Sequence, residues 1–154
     1  MATLSEDNMA KGTLITVTPE GNISAEAVEV PQGEETGSFI YQKLYDAVGG
    51  SIETIPLFET IKFPKSVITK LSATPGFDLN GFDVTKTRPC AAFCNEYGKV
   101  YDLAYNEFGT ALWAMALVDA GQATIRDDGS IPMSDIANGP VVIVTGDDAF
   151  MATI

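Results

Sequence analysis

The chain has 154 residues, 45% of them hydrophobic, and a formal charge of −12. That length suits one domain with a real core, and the apolar content excludes disorder, which pairs low hydrophobicity with high net charge. The charge weighs against direct nucleic-acid binding, which needs a basic footprint, and the absence of histidine removes the commonest general base and metal ligand.

Residues 1–10 read as a loose polar tail, and 11–154 as a single domain. The opening MATLSEDNMAKG carries neither the basic start nor the apolar stretch of a secretory signal. No apolar run approaches the roughly 18 residues of a membrane span, so the expected location is the cytoplasm, away from membranes. LITVTPEGNISAEAVEV alternates about a Pro19-Glu20-Gly21-Asn22 turn and predicts a hairpin. After the charged loop PQGEETG, the spacing of Ile40, Leu44, Ala47 and Val48 predicts a helix, with Ser38 as its N-cap and Gly49 as its left-handed stop. SIETIPLF then predicts a strand whose end Pro56 places at an edge or outside the ladder.

Residues 58–88 hold no period and read as an insertion with one short helix, around Ser66 to Ala73. Phe77 and Phe82 flank an Asp78–Gly81 turn and are expected to fold back onto the body. Here Lys62, Lys65, Lys70, Lys86 and Arg88 outnumber Glu59, Asp78 and Asp83, whereas residues 1–37 carry seven acids against one lysine and 119–154 carry six against one arginine. Cys90 and Cys94 lack the spacing of redox or zinc pairs. On one strand they stand about 13 Å apart, too far for a disulfide, and read as buried free thiols.

A second hairpin is expected from Ala91–Cys94 and Val100–Leu103 about the turn Asn95-Glu96-Tyr97-Gly98. EFGTALWAMALVDAG predicts a helix capped by Asn106 and apolar nearly all round. Phe108, Ala111, Leu112, Met115 and Val118 lie on one face, and Trp113, Ala116 and Leu117 on the other, which is read as a candidate interface. NGPVVIVTGDD is a β-branched run whose two-sided apolarity predicts a central strand. The fold class is therefore α+β: a mostly antiparallel sheet with two main helices packed on one face, in the order ββαβ–insertion–ββαβ.

The hairpin, the helix ending in Val48-Gly49-Gly50, the Ser51-Ile52-Glu53 start, Cys94-Asn95-Glu96-Tyr97-Gly98-Lys99, Asn106 and Gly139-Pro140-Val141-Val142-Ile143-Val144 occur in a familiar order. Over roughly residues 13–57 and 90–147 the chain resembles the domain of unknown function 3846 family, small proteins of bacteriophages and of bacteria carrying phage-derived genes. The resemblance implies a viral protein and implies no activity.

Asp127-Asp128 and Asp147-Asp148 are read as turn formers, since a calcium loop needs a later glutamate. Gly49-Gly50 follows a helix and does not open one, so it is no phosphate loop. No cofactor or metal site is expected. The candidate ligand site is Asn95, Glu96, Lys99, Tyr105, Asn106 and Glu107, where a helix start and a lysine could hold an anion such as a nucleotide phosphate. The competing reading is that Asn95 and Asn106 only satisfy local backbone. If the pair Asn106 and Lys99 served a ligand alone, replacing both by alanine would leave the melting temperature within a few degrees.

The expected function is a phage-encoded, non-enzymatic accessory protein acting by binding inside the infected cell. It would sequester a small anionic ligand, for example a nucleotide defence signal, or block a host protein through a DNA-mimicking acidic surface. A structural homo-oligomer, taken as a dimer through the 107–118 helix, is a third reading. An enzyme using carboxylates or Lys99 is the least favoured.

Overall fold

The opening hairpin forms where the alternation puts it. β1 (Met9–Val17) and β2 (Ile23–Pro31) pair antiparallel from Met9↔Pro31 to Val17↔Ile23, and the Thr18 N–H donates to the Asn22 carbonyl at 3.0 Å to close the turn. The computed structural model describes residues 9–73 and 86–154. Met9 and Ala10, assigned to the tail on sequence, are thus already strand, and the rest of that tail lies outside the described residues.

The β-branched run becomes β7 (Val141–Gly146), flanked by β1 on one side and by β6 (Ala91–Asn95) on the other. β3 (Ile52–Thr54) pairs with β6 and ends the sheet, whose order is β2-β1-β7-β6-β3 with every pairing antiparallel. Val141, Val142, Ile143 and Val144 are all fully buried, as expected of a central strand. Pro56 lies beyond the end of β3, outside the ladder.

A strand apolar on both sides needs cover on both sides, and the structure corrects the one-face expectation accordingly. Val142 and Val144 join Leu14, Val28 and Val30 under α1 (Thr36–Val48) and a short α4 (Asp148–Ala152). Val141 and Ile143 join Ile15, Val17 and Ala92 under α3 (Glu107–Asp119). The result is three layers, with helices above and below the sheet. Trp113 and Ala116, expected at an interface, are only 6% and 3% exposed and sit in this second core, while Leu117 packs against it. An apolar helix face had two possible destinations, and the chain's own sheet takes this one.

Residues 58–88 are less of an insertion than their lack of period implies. β4 (Thr60–Ile61) pairs with β5 (Arg88–Pro89), and α2 (Lys65–Ser72) forms close to where a helix was expected. Phe58, Ile61, Phe63, Val67 and Leu71 are buried in the α3-side core. Pro64 and the brevity of these elements hide the pattern. Phe77, Phe82 and the Asp78–Gly81 turn lie outside the described residues.

Two further expectations are corrected. Val100–Leu103 forms no second hairpin strand: the chain turns there, with Val100 76% and Tyr101 66% exposed. β6 already has a neighbour on each edge, so a returning strand has nothing to pair with. α1 begins two residues before Ser38. In place of a local cap, the distant Thr153 serves its first turn, accepting from Thr36 N–H through Oγ1 (2.8 Å) and from Gly37 N–H through its carbonyl (3.1 Å). Gly49, with φ 78°, supplies the expected left-handed stop.

Candidate functional site

The two asparagines of the expected site are structural. Asn95 ends β6. Its Nδ2 donates to the Val48 carbonyl (3.2 Å), tying the strand to the end of α1, and its Oδ1 accepts the Tyr97 N–H (2.8 Å). Asn106 is wholly buried at the N-cap of α3. Its Oδ1 accepts the Gly109 N–H (2.8 Å), while Nδ2 donates to the carbonyls of Val17 (2.9 Å) and Gly139 (3.0 Å). One side chain thus caps a helix and pins it to the sheet.

The other four candidates are exposed and do not converge on an anion site. Lys99 is held in an ion pair with Asp135. Glu107 places a carboxylate in the first turn of α3, which suits the helix dipole and repels an anion. Tyr105 bridges to Asn138 through backbone.

Asn95, Glu96 and Lys99 do meet in a cleft of about 120 Å³, joined there by Glu53 and Thr54 of β3, Cys94, Trp113 and the 135–138 segment. The buried Ile55, Trp113 and Ala137 form its floor, and the exposed Glu53, Glu96, Lys99 and Asp135 its rim. Trp113 Nε1 donates to the Pro56 carbonyl (2.9 Å), which fixes the indole. The rim carries three carboxylates against one ammonium, and Glu53 and Glu96 make no ion pair among the described residues. Such a rim favours a cation.

Three features of the cleft define its chemistry. The hydrogen bond from Lys99 holds the Asp135 carboxyl below its usual range, so the carboxylate persists into acid. Burial, with Glu53 nearby, pushes the Cys94 thiol up to about 11, so it stays protonated at neutral pH and is a poor nucleophile. Asn138 donates through Nδ2 to the Leu103 carbonyl (2.9 Å), but its Oδ1 is buried without a partner among the described residues. Leaving such an acceptor unpaired costs about 1–3 kcal/mol.

Sequence reading missed Glu53, Cys94, Trp113, Asp135 and Asn138 as members of one site. Glu53 and Cys94 face each other in the β3–β6 ladder, but 135–138 belongs to an irregular stretch some forty residues further on. Nothing local in the sequence announces that return.

No family model, curated protein or solved structure matches the chain.

Of the acidic pairs read as turn formers, Asp128 fits: its Oδ1 accepts from Ser130 N–H (2.9 Å) and Oγ (2.6 Å). Asp147 does not, since it caps the helix α4 by accepting the Phe150 N–H (2.8 Å), with Asp148 in the first turn. Among the described residues, no group of three or more Cys, Asp or Glu could hold a metal ion, and no helix is long and apolar enough to cross a membrane.

Proposed function

We propose that this chain works by binding a basic protein partner through the face made by β3, the 96–105 loop and the 135–138 segment. The observation that carries this is the cleft: an acidic rim over an apolar floor, the environment in which a partner's cationic side chain is both attracted and packed. The same loop exposes Tyr97, Val100, Tyr101 and Tyr105, with the rings of Tyr97 and Tyr101 5.8 Å apart. Exposed tyrosines beside a charged pocket are the composition of protein–protein contact surfaces.

In the setting that the family resemblance implies, the partner is a host protein and the outcome is its inhibition. The rim charge weighs against a nucleotide phosphate, and a cleft smaller than the ~150 Å³ that admits benzene does not enclose a whole nucleotide.

Trp113 is the only tryptophan and lines the cleft, so its fluorescence reports on this site. Titration with a peptide rich in arginine and lysine is expected to change its emission saturably, with an affinity that falls as salt is raised from 20 to 200 mM (~20 to ~7 Å screening length). An acidic peptide is expected to do nothing. An unchanged signal with the basic peptide at low salt would overturn the proposal.

A further inference from the structure

Resting on that reading, we infer that the cleft is built for the guanidinium group of an arginine in the partner, in preference to a lysine ammonium. Its acceptors come from separate elements. Glu53 is on β3, Glu96 follows β6, and Asp135 lies on the returning 135–138 segment. A planar group whose five N–H donors fan outward can serve several such acceptors at once, whereas an ammonium is a point charge with three donors.

The floor points the same way. Ile55, Trp113 and Ala137 are apolar and buried, and the indole has already spent its N–H on Pro56. A guanidinium is weakly hydrated and stacks on flat apolar surface, while an ammonium gives up a tighter hydration shell to enter. The volume of about 120 Å³ accommodates a side-chain head group of this size.

Lys99 then has a definite part. In the free protein its ammonium occupies Asp135, and the guanidinium must displace it to engage that carboxylate bidentately. Lys99 acts as a resident competitor and keeps the cleft from holding weaker cations. Its removal is expected to tighten arginine binding, the opposite of what loss of a structural contact would do.

The experiment compares capped Gly/Ser peptides bearing three arginines, three lysines or three citrullines, each titrated calorimetrically into the wild-type chain and into Lys99→Ala, Glu96→Gln and Asp135→Asn. All three substituted side chains are exposed, and far-ultraviolet circular dichroism verifies the fold of each variant. The arginine peptide is expected to bind at least ten-fold more tightly than the lysine peptide, and the citrulline peptide not detectably. Lys99→Ala is expected to raise arginine affinity at least three-fold, and the two acid variants to lower it. Equal affinity for arginine and lysine would overturn the guanidinium assignment while leaving the basic-partner reading in place. Absence of binding by either basic peptide would overturn both.

Discussion

Asn106 makes three hydrogen bonds with one amide, and its two donors serve carbonyls that lie 89 and 33 positions away. Replacing it by alanine removes a cap worth about 1 kcal/mol and leaves buried acceptors that each cost about 1–3 kcal/mol. Asn106→Ala is therefore expected to destabilise the chain by about 3–7 kcal/mol, a fall of roughly 6–28 °C in melting temperature. A thermal melt within a few degrees of wild type, as a pure ligand role demands, would contradict this. Asn106 was legible as a cap because an asparagine before an apolar run is the usual N-cap signal; its long-range donors were not, since no local pattern encodes which carbonyls the fold will bring near. The two thiols are a second residue-scale case. Burial, with Glu59 nearby, pushes Cys90 up to about 12, and burial with Glu53 pushes Cys94 to about 11. Raised values keep a thiol protonated below them, so at pH 8 the reactive thiolate is scarce at both. Mass spectrometry after iodoacetamide treatment at pH 8 is expected to find neither alkylated in the folded chain and both alkylated in denaturant. Rapid labelling of folded Cys94 would contradict the packing described.

At the scale of elements, α4 packs onto the sheet through the Phe150 side chain. The Phe150 ring is fully buried over Gly12 and Gly146, which face each other in the β1–β7 ladder. A methyl group on Gly12 would run into the ring, whereas one on Gly146 would also meet the Lys11 carbonyl oxygen at 2.6 Å and the Gly12 Cα at 2.8 Å. Phe150→Ala is expected to cost about 3–5 kcal/mol. In a denaturant-melt double-mutant cycle, Gly12→Ala with Phe150→Ala should cost at least about 1 kcal/mol less than the sum of the two, because truncation frees the space the methyl needs. Gly146→Ala should not be rescued, since its obstacle is backbone. Additive costs at Gly12 would contradict this packing. None of it was visible in the sequence: nothing local marks Gly12 as the seat of an aromatic ring, and Asp147-Asp148 read as turn formers. The hairpin, α1, α3 and β7 were legible because each carries a period or a turn signature of its own. Val100–Leu103 misled because strand character is local while the availability of an edge is set by the whole sheet.

The whole molecule is a two-faced sheet with an acidic cleft where β3, β6 and the 135–138 segment meet, next to the exposed tyrosines of the 96–105 loop. That β7 is apolar on both sides was readable, and it already required cover above and below; assigning all helices to one face overlooked this consequence. The cleft was half legible, through Asn95, Glu96 and Lys99, and its other half depended on a chain return that only the fold reveals. The anion expected from Lys99 gives way to a cation once Asp135 is seen to occupy that lysine and Glu53 and Glu96 to stand beside it. The most direct measurement is a ¹H–¹⁵N correlation spectrum of the labelled chain, recorded while the arginine peptide is added. Progressive shifts are expected, concentrated at 53–56, 94–99 and 135–138 and at the Trp113 indole N–H. Shifts confined to another surface, such as the exposed Met115 face of α3 or the Tyr41–Tyr45 pair of α1, would contradict this.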